Sequence, residues 1–213
     1  MSPSIEHIRK DYTRFRLDES DMPANPMELL QAWVDQAISE KVSEPNAMQL
    51  ISLGFDGIPE GRVVLLRGIQ PDGLRFYTNY RSAKGQQLVQ NNRVSANFFW
   101  PDLERQIRIK GEVHQLSAEE SDVYFDSRPR ESQLGAWASD QSEVIANRQV
   151  LIDKLRDVEN RFAGKEVPRP DWWGGYRIAP FYFEFWQGGA SRLHDRLTYQ
   201  QAGNQWKIER LSP

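Results

Sequence analysis

Turn dipeptides divide the middle of this chain into short runs, and that punctuation constrains its fold more than any other feature. After Glu44-Pro45 the chain reads AMQLISLGF, turns at Asp56-Gly57, continues as RVVLLRGI, turns again at Pro71-Asp72-Gly73 and resumes as LRFYTN. Runs this short, rich in β-branched and aromatic residues and separated by residues that reverse the backbone, predict an antiparallel meander. VSANFFW and RQIRIKGEVHQL are two further strand candidates, accompanied by a short helix candidate at Ala83–Gln90.

Helical signals lie on either side. From Asn25-Pro26 the segment MELLQAWVDQAISEKV places Leu29, Leu30, Trp33, Val34, Ala37 and Ile38 on one face, with Asn25 as cap and Pro26 in the first turn. Ser117 and Glu120 form a capping box for a helix reaching Ser127, and Ser142 to Phe162 predicts a longer charged helix. SRPRESQLGAWASDQS between them is expected to be a loop, held open where Pro129 stops the preceding helix. The C-terminal third returns to strands in YRIAPFYFEFWQ, RLHDRLTYQ and NQWKIERL, broken at Gly188-Gly189 and Gly203-Asn204. Helix, strands, helices, strands is the order of an α+β fold, mainly antiparallel β, with a sheet or barrel and flanking helices. With 213 residues, 39% of them hydrophobic, one domain is expected over 19–213. Residues 1–18 are expected to be a mobile N-terminal segment, a short helix or an arm that orders on a ligand.

Several function classes drop out. The chain has no cysteine, which removes disulfides, thiolate metal sites and thiol nucleophiles. His7, His114 and His194 are far apart and form no HxH or HExxH pair, so no metal site is expected. A net charge of -3 argues against a nonspecific nucleic-acid grip. No apolar run approaches a membrane span and MSPSIEHIRKDY lacks a signal-peptide core, so no membrane association is expected and the expected location is the cytoplasm.

Arginine outnumbers lysine 20 to 7, and its planar fork suits phosphate and carboxylate oxygens. Arg62 and Arg67 bracket RVVLLR; on one strand, residues five apart point to opposite faces, so the two either serve different surfaces or are solvated strand ends. In YTNYRSAKGQQL, Thr78, Ser82 and Lys84 sit at a strand-to-helix junction, either an anion site at the helix N-terminus or an ordinary capped turn. YFDSRPRESQ holds Tyr124, Arg128, Arg130 and Ser132 within nine residues, the donors of a phosphomonoester site or of a salt-bridged helix end. In FWQGGASRLHDR, Arg192, His194 and Arg196 alternate and would share one face of a strand, facing either an anion or solvent beside Trp186. Arginine, lysine and hydroxyls near aromatic residues suit planar aromatic ligands that carry phosphate.

The strings RVVLLR, FYTNYRSAKG, ERQIRIKGEV, YFDSRPRESQLGAWAS, WGGYR, EFWQGGASRLHDR and WKIERLSP, in order from Ile8 to Pro213, together resemble the pyridoxine (pyridoxamine) 5'-phosphate oxidase family. The resemblance implies an FMN-binding split barrel that works as a homodimer with FMN at the subunit interface. It implies oxidation of pyridoxine 5'-phosphate or pyridoxamine 5'-phosphate to pyridoxal 5'-phosphate, with O2 as acceptor, H2O2 as by-product and NH3 released from the amine.

Carried over by position, the flavin site comprises Arg62, Val63, Val64, Leu65, Leu66, Tyr77, Thr78, Lys84, Gln106, Gln141, Ser142, Trp186 and Arg196, with Arg62, Lys84 and Ser142 on its phosphate. Arg67, Tyr124, Arg128 and Ser132 are implied to hold the substrate phosphate. Arg192 and His194 are implied to be the catalytic pair covering the pyridine ring, and Arg9 and Tyr12 to act as a lid. Two positions depart from the family pattern: Arg67 stands where lysine is usual, and Ala83 where an arginine commonly precedes the lysine of the phosphate turn. Arg81 is the nearby candidate to substitute for the latter, and weaker flavin retention is expected. Two other readings remain: a split-barrel flavoprotein acting on another substrate, and a noncatalytic carrier of flavin or pyridoxal phosphate.

Overall fold

In the computed structural model of the chain, which describes residues 4–7 and 10–213, helices begin where a side-chain cap meets an apolar stripe. The Asn25 side chain accepts the Met27 N–H at 3.0 Å and opens α1 (Pro26–Ser39), whose buried face carries Leu29, Leu30, Trp33, Val34 and Ala37. The Ser82 hydroxyl accepts the Gly85 N–H to cap α2 (Ala83–Gln90), and Ser117 and Glu120 cap α3 (Ala118–Asp126) reciprocally.

Two helical boundaries differ from expectation. Arg130–Ala138 is a helix, α4, and not an open loop. Pro129 ends one helix but opens the next: it is the N-cap of α4, extended at ψ 140°, and its carbonyl accepts the Ser132 and Gln133 N–H groups at 2.8 and 3.1 Å. The long charged helix begins at Arg148 instead of Ser142 (α5, Arg148–Arg161), capped by Asn147. Ser142 has a φ of +79°, a left-handed conformation that no right-handed helix can contain.

Among the described residues nine strands follow the turn punctuation: β1 (Ala47–Leu53), β2 (Pro59–Leu65), β3 (Gly68–Gln70), β4 (Gly73–Asn79), β5 (Arg93–Trp100), β6 (Arg105–Gln115), β7 (Trp173–Gln187), β8 (Asp195–Ala202) and β9 (Gln205–Arg210). RVVLLRGI is therefore two strands, parted at Leu66-Arg67. Hydrogen bonding orders the sheet β2-β1-β5-β6-β7-β4-β3, with β8 on β7 and β9 on β8. β7 pairs antiparallel with β4 over Trp173–Ile178 and with β8 over Tyr182–Gln187. Among the described residues no helix is long and apolar enough to cross a membrane.

Backbone proximity divides the chain into two compact units. The first combines the chain up to Gln49 with Ser95–Lys110 and Pro180–Pro213. Its core includes Phe185, met edge-on by Trp33 at 5.2 Å and by Tyr199 at 5.9 Å. The second combines Leu50–Val94 with Gly111–Ala179. Phe125, Leu134, Phe162, Val167 and Trp173 form a buried cluster there, with Tyr77, Tyr124 and Trp137 packed on it.

Candidate active site

A cavity of about 560 Å³ opens in the second unit. β2 supplies Arg62, Val63, Val64 and Leu65; β4 supplies Tyr77 and Thr78; α2 supplies Lys84. Gln141 and Ser142 come from the α4–α5 connection, Tyr124 and Arg128 from the end of α3, and Arg67 from the β2–β3 break. Arg62 and Arg67 thus face one cavity, against the expectation that they serve different surfaces. Strand alternation ends at Leu65, and Leu66 and Arg67 lie between β2 and β3, outside either strand. Glu60, Asn79 and Trp173 also line the cavity and were not anticipated. Glu60 lies two residues before Arg62 on the same strand face, a signal present in the sequence; Trp173 is brought opposite Asn79 only by the β4–β7 register.

The electrostatics of this cavity are those of an anion site. Lys84 is 8% exposed, and its Nζ lies 2.9 Å from Thr78 Oγ1 and 3.4 Å from Ser82 Oγ. Among the described residues it has no carboxylate partner. Burial first, and the Arg62 charge second, push the Lys84 ammonium down to about 8. Arg62 is already engaged, donating to Glu60 at 3.0 Å, to Gln87 at 3.1 Å and to the Ser52 hydroxyl. The Ala83 N–H, at the start of α2, donates to Ser142 Oγ at 3.1 Å.

Arg128 forms the second cationic group. Its guanidinium lies over the Trp173 ring at 4.4 Å, and its Nη1 is buried with no hydrogen-bond partner. Burial lowers its pKa, the neighbouring Tyr124 opposes that, and Arg67 adds to it. Tyr124 stacks on Tyr77 at 3.7 Å, and Gly175 makes room for Tyr77, since a Cβ there would stand 2.7 Å from the ring. A buried ammonium held only by hydroxyls and a buried guanidinium N–H without an acceptor are costly alone, and a multi-oxygen anion completes both.

The first unit holds a separate cavity of about 440 Å³, lined by Lys10, Asp11, Tyr12, Gly189, Ser191, Arg192 and His194. Tyr12 meets Trp186 and His194 edge-on, each at 5.7 Å, and Trp186 lies 4.8 Å from His194. The Gly189 N–H donates to His194 Nδ1 at 3.1 Å, so the neutral ring carries its proton on Nε2. The expected strand from Arg192 to Arg196 does not form as such. β8 starts at Asp195, while Ser191 and Arg192 sit in a 3-10 turn with φ of +54° and +63°, so alternation cannot place the three cations on one face. Arg196 is opposite Trp186 in the β7–β8 register and donates to Glu184 at 2.9 Å and to the Ser212 carbonyl at 2.8 Å.

The remaining candidates among the described residues lie outside both cavities. Leu66 is buried, Gln106 is half-buried on β6, and the Ser132 N–H caps back onto Pro129. Arg130 donates to the carbonyls of Phe162 and Lys165 at the end of α5, a structural role. Arg81 is drawn over Trp172 at 4.7 Å. Arg9 lies outside the described residues.

A family model described as pyridoxamine 5'-phosphate oxidase matches residues 34–162, and one described as the pyridoxine 5'-phosphate oxidase C-terminal dimerisation region matches residues 173–213. A pyridoxine/pyridoxamine 5'-phosphate oxidase from a Cyanothece species is 49% identical over 213 residues, covering all of both chains. One from Pseudomonas paraeruginosa is 48% identical over 215 residues, again covering both in full. The chain belongs to the pyridoxine/pyridoxamine 5'-phosphate oxidase family. Its members are oxidoreductases, and the first cavity lies within the span of the family's N-terminal model except for Trp173. Trp186, Arg192, His194 and Arg196 lie within the dimerisation region of the same family. Among solved structures, PhzG from Burkholderia lata, in complex with tetrahydrophenazine-1-carboxylic acid, is 32% identical with a TM-score of 0.86, covering 91% of this chain and 95% of that one. A pyridoxamine 5'-phosphate oxidase-related, FMN-binding protein from Nostoc punctiforme, 19% identical, covers 90% of this chain and 100% of its own with a TM-score of 0.71, and shares the split-barrel fold.

Proposed function

We propose that this chain is an FMN-dependent oxidase that converts pyridoxine 5'-phosphate or pyridoxamine 5'-phosphate to pyridoxal 5'-phosphate. The observation that carries the proposal is the pairing, in one cavity, of the buried Lys84 ammonium and the unpartnered Arg128 Nη1. Two cationic groups without acidic partners suit two phosphorylated molecules, a cofactor and a substrate. Lys84, Arg62 and Ser142 would hold the FMN phosphate, beside Val63, Val64, Leu65, Leu66, Tyr77, Thr78 and Gln141. Gln106, Trp186 and Arg196 complete the flavin set in a homodimer with the cofactor at the subunit interface, which the match to a dimerisation region supports. Arg67, Tyr124, Arg128 and Ser132 would take the substrate phosphate.

FMN held there would supply a two-electron acceptor for the hydride lost from the substrate 4' carbon, with O2 as the terminal oxidant reduced to H2O2, and the amine substrate would take up water and release NH3. The chain's own contribution is placement and electrostatics. Arg128 and Arg67 fix the phosphate end. Arg192 orients the ring hydroxyl and the reacting 4' group, and His194, its Nδ1 engaged by Gly189, meets the substrate as a donor through Nε2. Tyr12, on the segment from Lys10 to Leu17, acts as a lid over this pair, and residues 19–213 act as one functional domain.

The test is to incubate the purified, flavin-loaded chain under air with each phosphorylated vitamer and follow aldehyde and peroxide together. Equal amounts of both are expected. The same vitamers without phosphate should be far poorer substrates, because Arg128 would remain unpaired. Flavin reduction by a different reductant with no aldehyde from either vitamer would favour the second reading, an oxidoreductase of this fold acting on another substrate. The likeness to PhzG, solved with a phenazine precursor, is what keeps that reading in view.

A further inference from the structure

The segment that carries Tyr12 is seated on a specific slot in the first unit. Gly188 has no side chain where Tyr12 lies: a Cβ at that position would stand 2.7 Å from both Cβ and Cγ of Tyr12. Beside it is Glu104, 5% exposed and in the left-handed region at φ +55°. Its carbonyl accepts the Gly188 N–H at 2.7 Å and the Gln187 side chain at 3.1 Å, which locks its backbone against the end of β7. Its carboxylate is left for the N-terminal segment, accepting the Arg14 N–H at 3.0 Å and facing Lys10 Nζ at 3.8 Å. Among the described residues these are the carboxylate's partners.

The two ends of the segment are held very differently. Leu17 is 3% exposed; its N–H donates to Asp195 at 3.1 Å and its carbonyl accepts from Arg210, which also forks onto Glu19 and Asp195. Phe15 stacks on the Arg105 guanidinium at 4.8 Å. Toward Lys10 the attachments are solvent-facing, with Lys10 and Arg14 side chains 56% and 40% exposed. Surface contacts of that kind contribute little, whereas a buried carboxylate stripped of its partners is strongly unfavourable. Lys10 also donates to the Pro101 carbonyl, Arg14 to Glu40 and the Asp102 carbonyl, and Tyr12 packs on Trp186 and His194, but Glu104 is the buried charged group among these attachments.

We propose that Glu104 is a positioning residue, a latch whose buried carboxylate holds residues 10–14 over the Arg192–His194 cavity, with Gly188 as the seat for Tyr12 and Leu17 as the fixed end. This rests on the reading that Arg192 and His194 take the substrate ring. Glu104 then sets how tightly that ring is enclosed without touching it.

The experiment compares the flavin-loaded native chain with Glu104→Asn, which tolerates the left-handed backbone but cannot reach Arg14, and with Glu104→Gln, which keeps an acceptor there. Amide hydrogen exchange over residues 10–17 should speed up roughly tenfold or more in Glu104→Asn, the loss of one hydrogen bond to a charged group, and remain near native in Glu104→Gln. KM for pyridoxine 5'-phosphate should rise by a similar factor in Glu104→Asn with a smaller change in kcat, and Glu104→Gln should recover most of it. Gly188→Ala, which leaves the carboxylate intact and fills the seat, should reproduce both effects. Unchanged exchange in Glu104→Asn, or faster exchange with an unchanged KM, overturns the latch. Absence of turnover by the native chain would sink the oxidase reading instead, and the exchange comparison would still decide whether Glu104 holds the segment.

Discussion

Lys84 and Arg128 show how single side chains prepare a cavity for an anion. Lys84 falls from an ordinary 10.5 to about 8 because it is buried without a counter-charge. The ligand-free fold therefore binds fewer protons than the unfolded chain between pH 8 and 10.5, so this group's contribution to stability rises with pH across that window. Below pH 8 its full penalty, on the order of 3 kcal/mol, is present. Lys84→Met should raise the melting temperature of the ligand-free protein at pH 7 while weakening FMN binding; a lowered melting temperature would contradict the assignment. FMN binding favours the charged lysine, so above pH 8 it takes up a proton. The dissociation constant, read by flavin fluorescence, should then weaken by up to about tenfold per pH unit. Arg128→Ala relieves a buried N–H that has no partner but loses the stacking on Trp173, so it should lower thermal stability only modestly, by about 1 kcal/mol, yet raise KM for the phosphorylated substrate roughly a hundredfold, as expected for charge-assisted phosphate bonds. Arg192→Ala should lower turnover much more than flavin content, measured on the same preparation. Equal loss of both would assign Arg192 to flavin retention instead.

At the level of elements, the α2 N-terminus gathers the donors proposed for the FMN phosphate. Ser82 caps it, Lys84 projects into the cavity, and the Ala83 N–H points at Ser142. Arg81 does not compensate for the arginine missing at 83, because stacking over Trp172 turns its guanidinium to another surface. Ala83→Arg should therefore tighten FMN binding by about tenfold, the worth of one charge-assisted hydrogen bond to phosphate; equal flavin dissociation constants would show that the departure has no cost. α4 illustrates why local signals misled at Pro129. A proline forbids the helix behind it, yet as an N-cap its carbonyl can accept the first N–H groups of the helix ahead, and α4 is fixed there by burial of Leu134 and Ala138. The RLHDR stretch failed for a similar reason. Ser191 and Arg192 are bent into left-handed conformations, which no alternation rule anticipates.

For the whole molecule, the candidate residues divide between two units, and the C-terminal part belongs to a dimerisation region. A cofactor shared by two subunits links flavin binding to association, since a ligand that binds only the dimer stabilises it by mass action. FMN should shift sedimentation of the dilute protein from monomer toward dimer, and diluting the loaded dimer should release flavin. A monomer–dimer constant indifferent to FMN would remove the cofactor from the interface. The PhzG likeness bears on the same scale: a protein of this fold was solved with a phenazine precursor, so the fold by itself does not fix the substrate.

The turn punctuation, the caps of α1, α2 and α3 and the family motifs are local properties, carried by residues close in the chain, and from them the α+β class, most strand positions and the family could be read in the sequence, together with candidate side chains that line the larger cavity. Tertiary structure alone decided that Arg62 and Arg67 face one cavity, that Trp173 lines it, that Arg128 Nη1 is buried without a hydrogen-bond partner, and that Tyr12 lies against Gly188 while the Arg14 N–H meets Glu104. Each of those depends on the register between distant strands and on which polar atoms lose their water on folding, and neither is encoded in any short stretch of chain.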